Sequence, residues 1–159
     1  MEINILFTLI LSWILFSISK EDIKTILISE NKLIIFAISG IIYIVTLGSL
    51  YESTNTIDLI TGNISAMLIV FLIMYFISRI SYNLFKVNSL GIGDIKLSSI
   101  SSIWLGIEFT FMSLCISFLL SAIYSIYGKI TKRFQSFHQY PFAPFLSIGI
   151  FCSWILDKI

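Results

Sequence analysis

Apolar residues fall in long blocks along this chain, and most of the charge collects in the short clusters between them. The first block, Ile3 to Ser19, is seventeen residues long, near the lower limit for a helix that crosses a bilayer. Glu2 precedes it and Lys20 follows, the reverse of the flanking that a cleaved secretory signal carries, so it reads as a retained helix. A polar segment from Lys20 to Lys32 separates it from a second block, Leu33 to Leu50. After an acidic loop, Tyr51 to Asp58, a third runs from Leu59 to Ser78 and stops at Arg79. Ile80 to Gly93 reads as an amphipathic connection. From Leu97 to Tyr127 the chain is then apolar for thirty-one residues, interrupted only by Glu108. One crossing needs about twenty residues, so this block divides into two short helices that turn near Gly106 to Phe109, with Glu108 in the turn. A basic loop, Lys129 to Tyr140, leads to a last helix opening at Pro141 and running to Leu156.

Charge supports that division. With six helices and both termini extracytoplasmic, Lys20, Lys24, Lys32, Arg79, Lys86, Lys96, Lys129, Lys132 and Arg133 share one face, nine of the ten basic residues, and Lys158 stands opposite. Taking Leu97 to Tyr127 as one helix leaves seven against three. Basic residues collect on the cytoplasmic side, so the six-helix reading also sets the orientation. Composition agrees: 57% of the 159 residues are hydrophobic and 12% charged, about half the charge of a soluble domain. The expected fold is all-α, one polytopic membrane bundle over residues 1–159 with no second domain, and nothing in the charge balance points to nucleic acid. Cys115 and Cys152 lack the spacing of a redox or zinc motif and read as inert buried thiols.

Against this apolar background, an ionisable residue at membrane depth is a functional candidate. Asp94 lies in Gly91-Ile92-Gly93-Asp94-Ile95-Lys96-Leu97, where Gly91 and Gly93 permit conformations and close approaches that other residues block. Asp22 falls on the same cytoplasmic face. Two carboxyl groups in a poorly solvated place cannot both ionise easily and can share one proton, the ionised member drawing a proton from water and the other donating to a peptide carbonyl. That is aspartyl-protease chemistry, needing neither metal nor cofactor.

These residues resemble a family. The Gly91–Leu97 segment is similar to the Gly-x-Gly-Asp-x-Lys-Leu signature of the prepilin peptidases, also called type IV leader peptidases. Asp22-Ile23-Lys24-Thr25-Ile26-Leu27-Ile28-Ser29 resembles the family's Asp-x-Arg/Lys-x-x-x-Ile-Pro block, with Ser29 in place of proline. Pro141-Phe142-Ala143-Pro144-Phe145-Leu146 resembles its Pro-Phe-Gly-Pro-Phe-Leu, with Ala143 in place of glycine. The resemblance implies removal of a short basic leader from prepilins or pseudopilins in the bacterial inner membrane, with Asp22 and Asp94 as the catalytic pair facing the cytoplasm. Many relatives add an N-methyltransferase part with a cysteine-rich zinc site. This chain has no such cysteines, so peptidase activity without methyl transfer is expected.

Other residues carry less. Lys24 and Lys96 each follow an aspartate by two positions, which on a helix turns them about 200° away, towards lipid headgroups or substrate. Pro141 and Pro144 suit a helix's first turn, or, with Phe142, an irregular opening that lines the cleft. His138 reads as a loop residue without a metal role. Trp13, Trp104 and Trp154 read as interfacial anchors and packing groups. Two other readings stand beside the first: a presenilin- or signal-peptide-peptidase-like protease, whose Pro-Ala-Leu segment is absent here, and a non-catalytic membrane subunit of a pilus or secretion assembly whose aspartates merely pair with lysines. Oligomeric state, lipid requirement and the particular prepilin are not written in the sequence.

Overall fold

The structure, a computed structural model, describes residues 2–50, 56–86, 90–131 and 140–158. These residues form five helical elements and no strand: α1 (Glu2–Thr25), α2 (Glu30–Leu50), α3 (Thr56–Phe85), α4 (Ile92–Ile130) and α5 (Ala143–Lys158). Four of them, α1 to α4, are long and apolar enough to cross a membrane. Their outer faces expose Leu9, Trp13 and Phe16 on α1 and Leu68, Leu72 and Phe76 on α3. Water does not tolerate so continuous an apolar exterior and hydrocarbon does. The chain is a multi-pass membrane protein.

Each helix extends past its apolar block. α1 continues through Lys20, Glu21 and Asp22, where a polar loop was expected, because Lys and Glu are good helix formers and mark the edge of the apolar zone rather than the end of the helix. For the same reason α3 passes Arg79 and runs to Phe85, and α2 and α4 open at Glu30 and Ile92 instead of Leu33 and Leu97. α5 begins at Ala143, two residues after the expected Pro141, and reaches Lys158. The expected loop residues Lys132, Arg133 and His138 lie outside the described residues, as do residues 51–55 of the acidic loop.

α4 is broken at Gly106 (φ 70, ψ −179), a left-handed conformation that glycine adopts without steric cost. Contacts along α5 reveal that the chain reverses there. Tyr140, just before α5, shares a hydrogen bond with Ser121 (2.8 Å). Gly149, further along, lies against Ser113 and Ser117. Trp154, near the far end, meets Trp104 on the other side of the break, ring centroids 5.6 Å apart. Residues 107–130 therefore run antiparallel to α5. Asp94, near the start of α4, is back within electrostatic reach of Asp22, which accepts from the Ala143 N–H at the start of α5, so residues 92–105 run parallel to α5. The turn falls within the expected Gly106–Phe109 window, with Glu108 exposed just beyond it. Asn63 of α3 donates its amide to the Ile103 carbonyl (3.1 Å), and the Thr110 hydroxyl donates to the Gly106 carbonyl (2.5 Å). A break in a helix at membrane depth requires such partners.

Small hydroxyl residues line the packed faces of α4. Ser98, Ser101, Ser113 and Ser117 are fully buried, and each hydroxyl donates to a carbonyl three or four positions back on its own helix. Their size lets α5 come close without leaving these hydroxyls unpaired. At the end of the bundle away from Asp22, Phe7, Phe36, Tyr43, Trp104 and Trp154 form an aromatic cluster with centroids 4.9–6.2 Å apart. The Trp104 indole N–H donates to the Phe36 carbonyl (3.0 Å). Trp104 and Trp154 are thus packing groups, 2% and 0% exposed, while Trp13, 75% exposed, lies on the outer face of α1, midway along the helix. Cys115 corrects the expectation of two buried thiols: it is exposed, and Cys152 is half-buried. An apolar run in a membrane protein has a lipid-facing side as well as a core side, and Cys115 is on the former.

Candidate active site

Asp22 stands on the last turn of α1 and is 4% exposed. The helix closes when the Ile26 N–H donates to the Asp22 carbonyl (2.8 Å), and Ile26 takes a left-handed conformation (φ 53). That conformation is rare and strained for a β-branched residue. It ends α1 and leads the chain so that Ile28 crosses the opening of α4. A Cβ placed on Gly93 would stand 3.1 Å from Ile28 Cβ and 3.3 Å from two further atoms of that side chain. Gly91 caps α4 in an extended conformation (φ −69, ψ 149), and a Cβ there would stand 3.1 Å from Asp94 Oδ2. Both glycines of the motif thus have close neighbours where a Cβ would stand, and neither has a positive φ.

Asp94 lies in the first turn of α4, and its Oδ1 is buried with no hydrogen-bond partner. The carboxyl groups of Asp22 and Asp94 are within electrostatic reach of each other. α5 completes the arrangement: the Ala143 N–H, at the start of that helix, donates to Asp22 Oδ2 (3.0 Å). Three separate sequence blocks thus meet at one end of the bundle, and two acidic side chains occupy the meeting point. A carboxyl pair in such surroundings can hold and move a proton.

The neighbouring charges are engaged elsewhere. Glu21 binds Lys32 (3.2 Å) and also accepts both the backbone N–H (3.3 Å) and the hydroxyl (3.0 Å) of Ser29. Lys32 donates as well to the Ser17 carbonyl (2.7 Å). Lys96 pairs with Glu30 across the α4–α2 boundary. Lys24 is exposed on the last turn of α1. Among the described residues neither aspartate is in a salt bridge, so the lysine-paired aspartates of the non-catalytic reading are not what the structure contains. No cluster of potential metal ligands occurs among the described residues.

Pro141 and Phe142 precede α5, and Pro144 falls in its first turn, so only the second proline is helical. The Phe142 carbonyl accepts the N–H groups of Phe145 (3.0 Å) and Leu146 (3.1 Å), and its ring packs on Phe118 at 5.4 Å. Three participants escaped the sequence reading: Glu21 as the tie of the α1–α2 connection, Ile28 as the residue that packs on Gly93, and the Ala143 amide. Only Glu21 left a trace in the sequence, as an acidic residue beside Asp22 with a lysine eleven positions on.

No curated protein and no solved structure matches the chain. A family model does, over residues 9–126, more than half of the sequence and enough to include both aspartates and the Gly-x-Gly-Asp turn. Its description is the type IV leader peptidase family, a peptidase family, and by that match this chain belongs to it.

Proposed function

We propose that this chain is an intramembrane aspartyl endopeptidase that removes the short basic leader from type IV prepilins or pseudopilins at the cytoplasmic face of the bacterial inner membrane. The observation that carries this reading is the convergence of Asp22 and Asp94, from α1 and α4, at one end of the bundle with a buried and unpartnered carboxyl oxygen on Asp94. One carboxylate takes a proton from water as the water oxygen attacks the scissile carbonyl carbon, and the other carboxyl gives its proton to the carbonyl oxygen. As the diol collapses, one carboxyl gives its proton to the leaving amine, the C–N bond breaks, and the other carboxylate takes the proton of a diol hydroxyl, which returns the pair to its single shared proton.

Because α4 doubles back at Gly106, the described helices cross six times in this proposal, with α1 entering from outside and Lys158 emerging there. The dyad then sits at the inner boundary, where water reaches it and where a leader ends and a pilin helix begins. Substrate recognition combines an apolar surface for that helix with polar capture of the leader. The carboxyl pair carries these steps without calling on a metal or cofactor.

The test is co-expression with a prepilin-type substrate carrying Lys/Arg, then Gly, then Phe or Met and an apolar run. Asp22→Asn and Asp94→Asn should each abolish the mobility shift of leader removal while the protein stays in the membrane. Normal processing by either variant refutes the assignment.

A further inference from the structure

A helix begins with N–H groups that have no partner inside it, and at membrane depth water is not there to satisfy them. α5 handles this in an unusual way. Pro144 has no N–H to offer, and the Phe145 and Leu146 N–H groups both go to the Phe142 carbonyl. Pro141, just outside the helix, has none either. In the first turn of α5 this leaves the Ala143 N–H as the donor that no helix carbonyl takes, and it is directed at Asp22 Oδ2 (3.0 Å) with Ala143 fully buried.

We infer that the Ala143 amide is the positioning group for Asp22, and that the Pro141-x-x-Pro144 spacing keeps this single amide free for it. This rests on the peptidase reading above. The amide is buried against Asp22 and gives up no proton in the reaction. It occupies one carboxylate oxygen of Asp22 and fixes the rotamer, so that the other oxygen is the one presented to the attacking water opposite Asp94. The positive end of the α5 dipole adds to the hold. Without this tie, Asp22 would have the rotational freedom of an ordinary helix-end aspartate on α1. The alanine at this position keeps the N–H that a glycine there would supply.

The experiment removes the N–H alone. Lactate in place of Ala143, introduced as a backbone ester, keeps the methyl group and the chain path. The same ester at Phe145, whose N–H serves only its own helix, is the control. Ala143→Pro is the genetic counterpart, and the ester is decisive if that variant does not fold. Cleavage of a prepilin-type peptide is followed in detergent or nanodiscs. Loss of a hydrogen bond to a charged group corresponds to roughly a 10–100-fold fall in kcat, with KM within about twofold. A kcat at position 143 equal to that of the Phe145 control overturns the inference and leaves the peptidase reading intact. A fall in which KM rises as much as kcat drops also overturns it, because that is lost binding. Absence of cleavage by the unaltered chain overturns both.

Discussion

At Gly149 the returning half of α4 packs directly on α5, and replacing this glycine with alanine tests the packing that holds the site. The added Cβ would meet Ser117 Oγ and the Ser113 carbonyl well inside 3.0 Å. Ser117 could rotate away, but Ser113 presents backbone, so the helices must part. An ordinary carbon–oxygen contact is about 3.3–3.6 Å, which sets the separation at about 1 Å. Overpacking of this kind costs about 1–3 kcal/mol, or roughly 2–12 °C in Tm for a chain of this size. Ala143 lies six residues back along the same helix, about 9 Å away. A shift of α5 by about 1 Å would stretch the 3.0 Å Asp22–Ala143 bond beyond hydrogen-bonding range. Misplacement on that scale costs on the order of 100-fold in rate. Gly62→Ala is the matched control: nothing lies within 4 Å of its Cβ position on α3, and alanine in a helix interior gains about 0.5–1 kcal/mol over glycine. The assays are thermal unfolding in detergent and leader cleavage. The reasoning is refuted if Gly149→Ala melts and cleaves like the unaltered protein, or if Gly62→Ala is the more damaging of the two. Adding Ser117→Ala to Gly149→Ala should not restore either property, because the backbone contact remains.

Two other outcomes follow from the same structure. Asn63→Ala removes the donor to the Ile103 carbonyl at the α4 reversal and should cost about 1 kcal/mol, read as a lower midpoint in a steric-trapping or denaturant assay; an unchanged midpoint would mean the turn at Gly106 does not need that tie. Alkaline phosphatase fused after Lys158 should be active, and the same reporter placed after Lys86 should be inactive, because the proposed six crossings put these positions on opposite sides of the membrane.

Asp22 and Asp94 as candidates and the break in α4 could both be read from the sequence, for different reasons. Asp22 and Asp94 stand out because charge is scarce in a chain with this apolar content, and the positive-inside asymmetry places them on the same face. The reversal was legible because thirty-one apolar residues exceed one crossing, and Gly106 offers a place to turn. Helix ends were not legible, since Lys20, Glu21 and Arg79 are polar enough to leave the apolar zone yet compatible with helix. The fate of individual lysines was also hidden. Spacing along one helix says which way Lys96 points, but only the packing of α2 beside α4 puts Glu30 within its reach. Whether a tryptophan is an anchor or a core residue depends in the same way on neighbours from other helices, and so Trp104 and Trp13 could not be told apart beforehand.

The two places where this chain departs from the family's pattern can be judged by what each residue does here. Ser29 stands where proline is expected, at the end of the segment that crosses Gly93. A proline would stiffen that segment by fixing φ; Ser29 instead holds it with two hydrogen bonds to Glu21, one of them from a backbone N–H that proline does not have. Lys32 binds the same carboxylate, so the connection between α1 and α2 is tied to the residue immediately before Asp22. Ala143 stands where glycine is expected, and its methyl group is fully buried while its N–H still reaches Asp22. In both cases the side chain has changed and the constraint on Asp22 has been kept, by polar ties at Ser29 and by the backbone at Ala143. The constraint is therefore better described by where Asp22 is held, between the Gly93 crossing and the start of α5, than by the residues usually found around it. A chain carrying both Ser29→Pro and Ala143→Gly should, on this argument, hold the same pair in the same place.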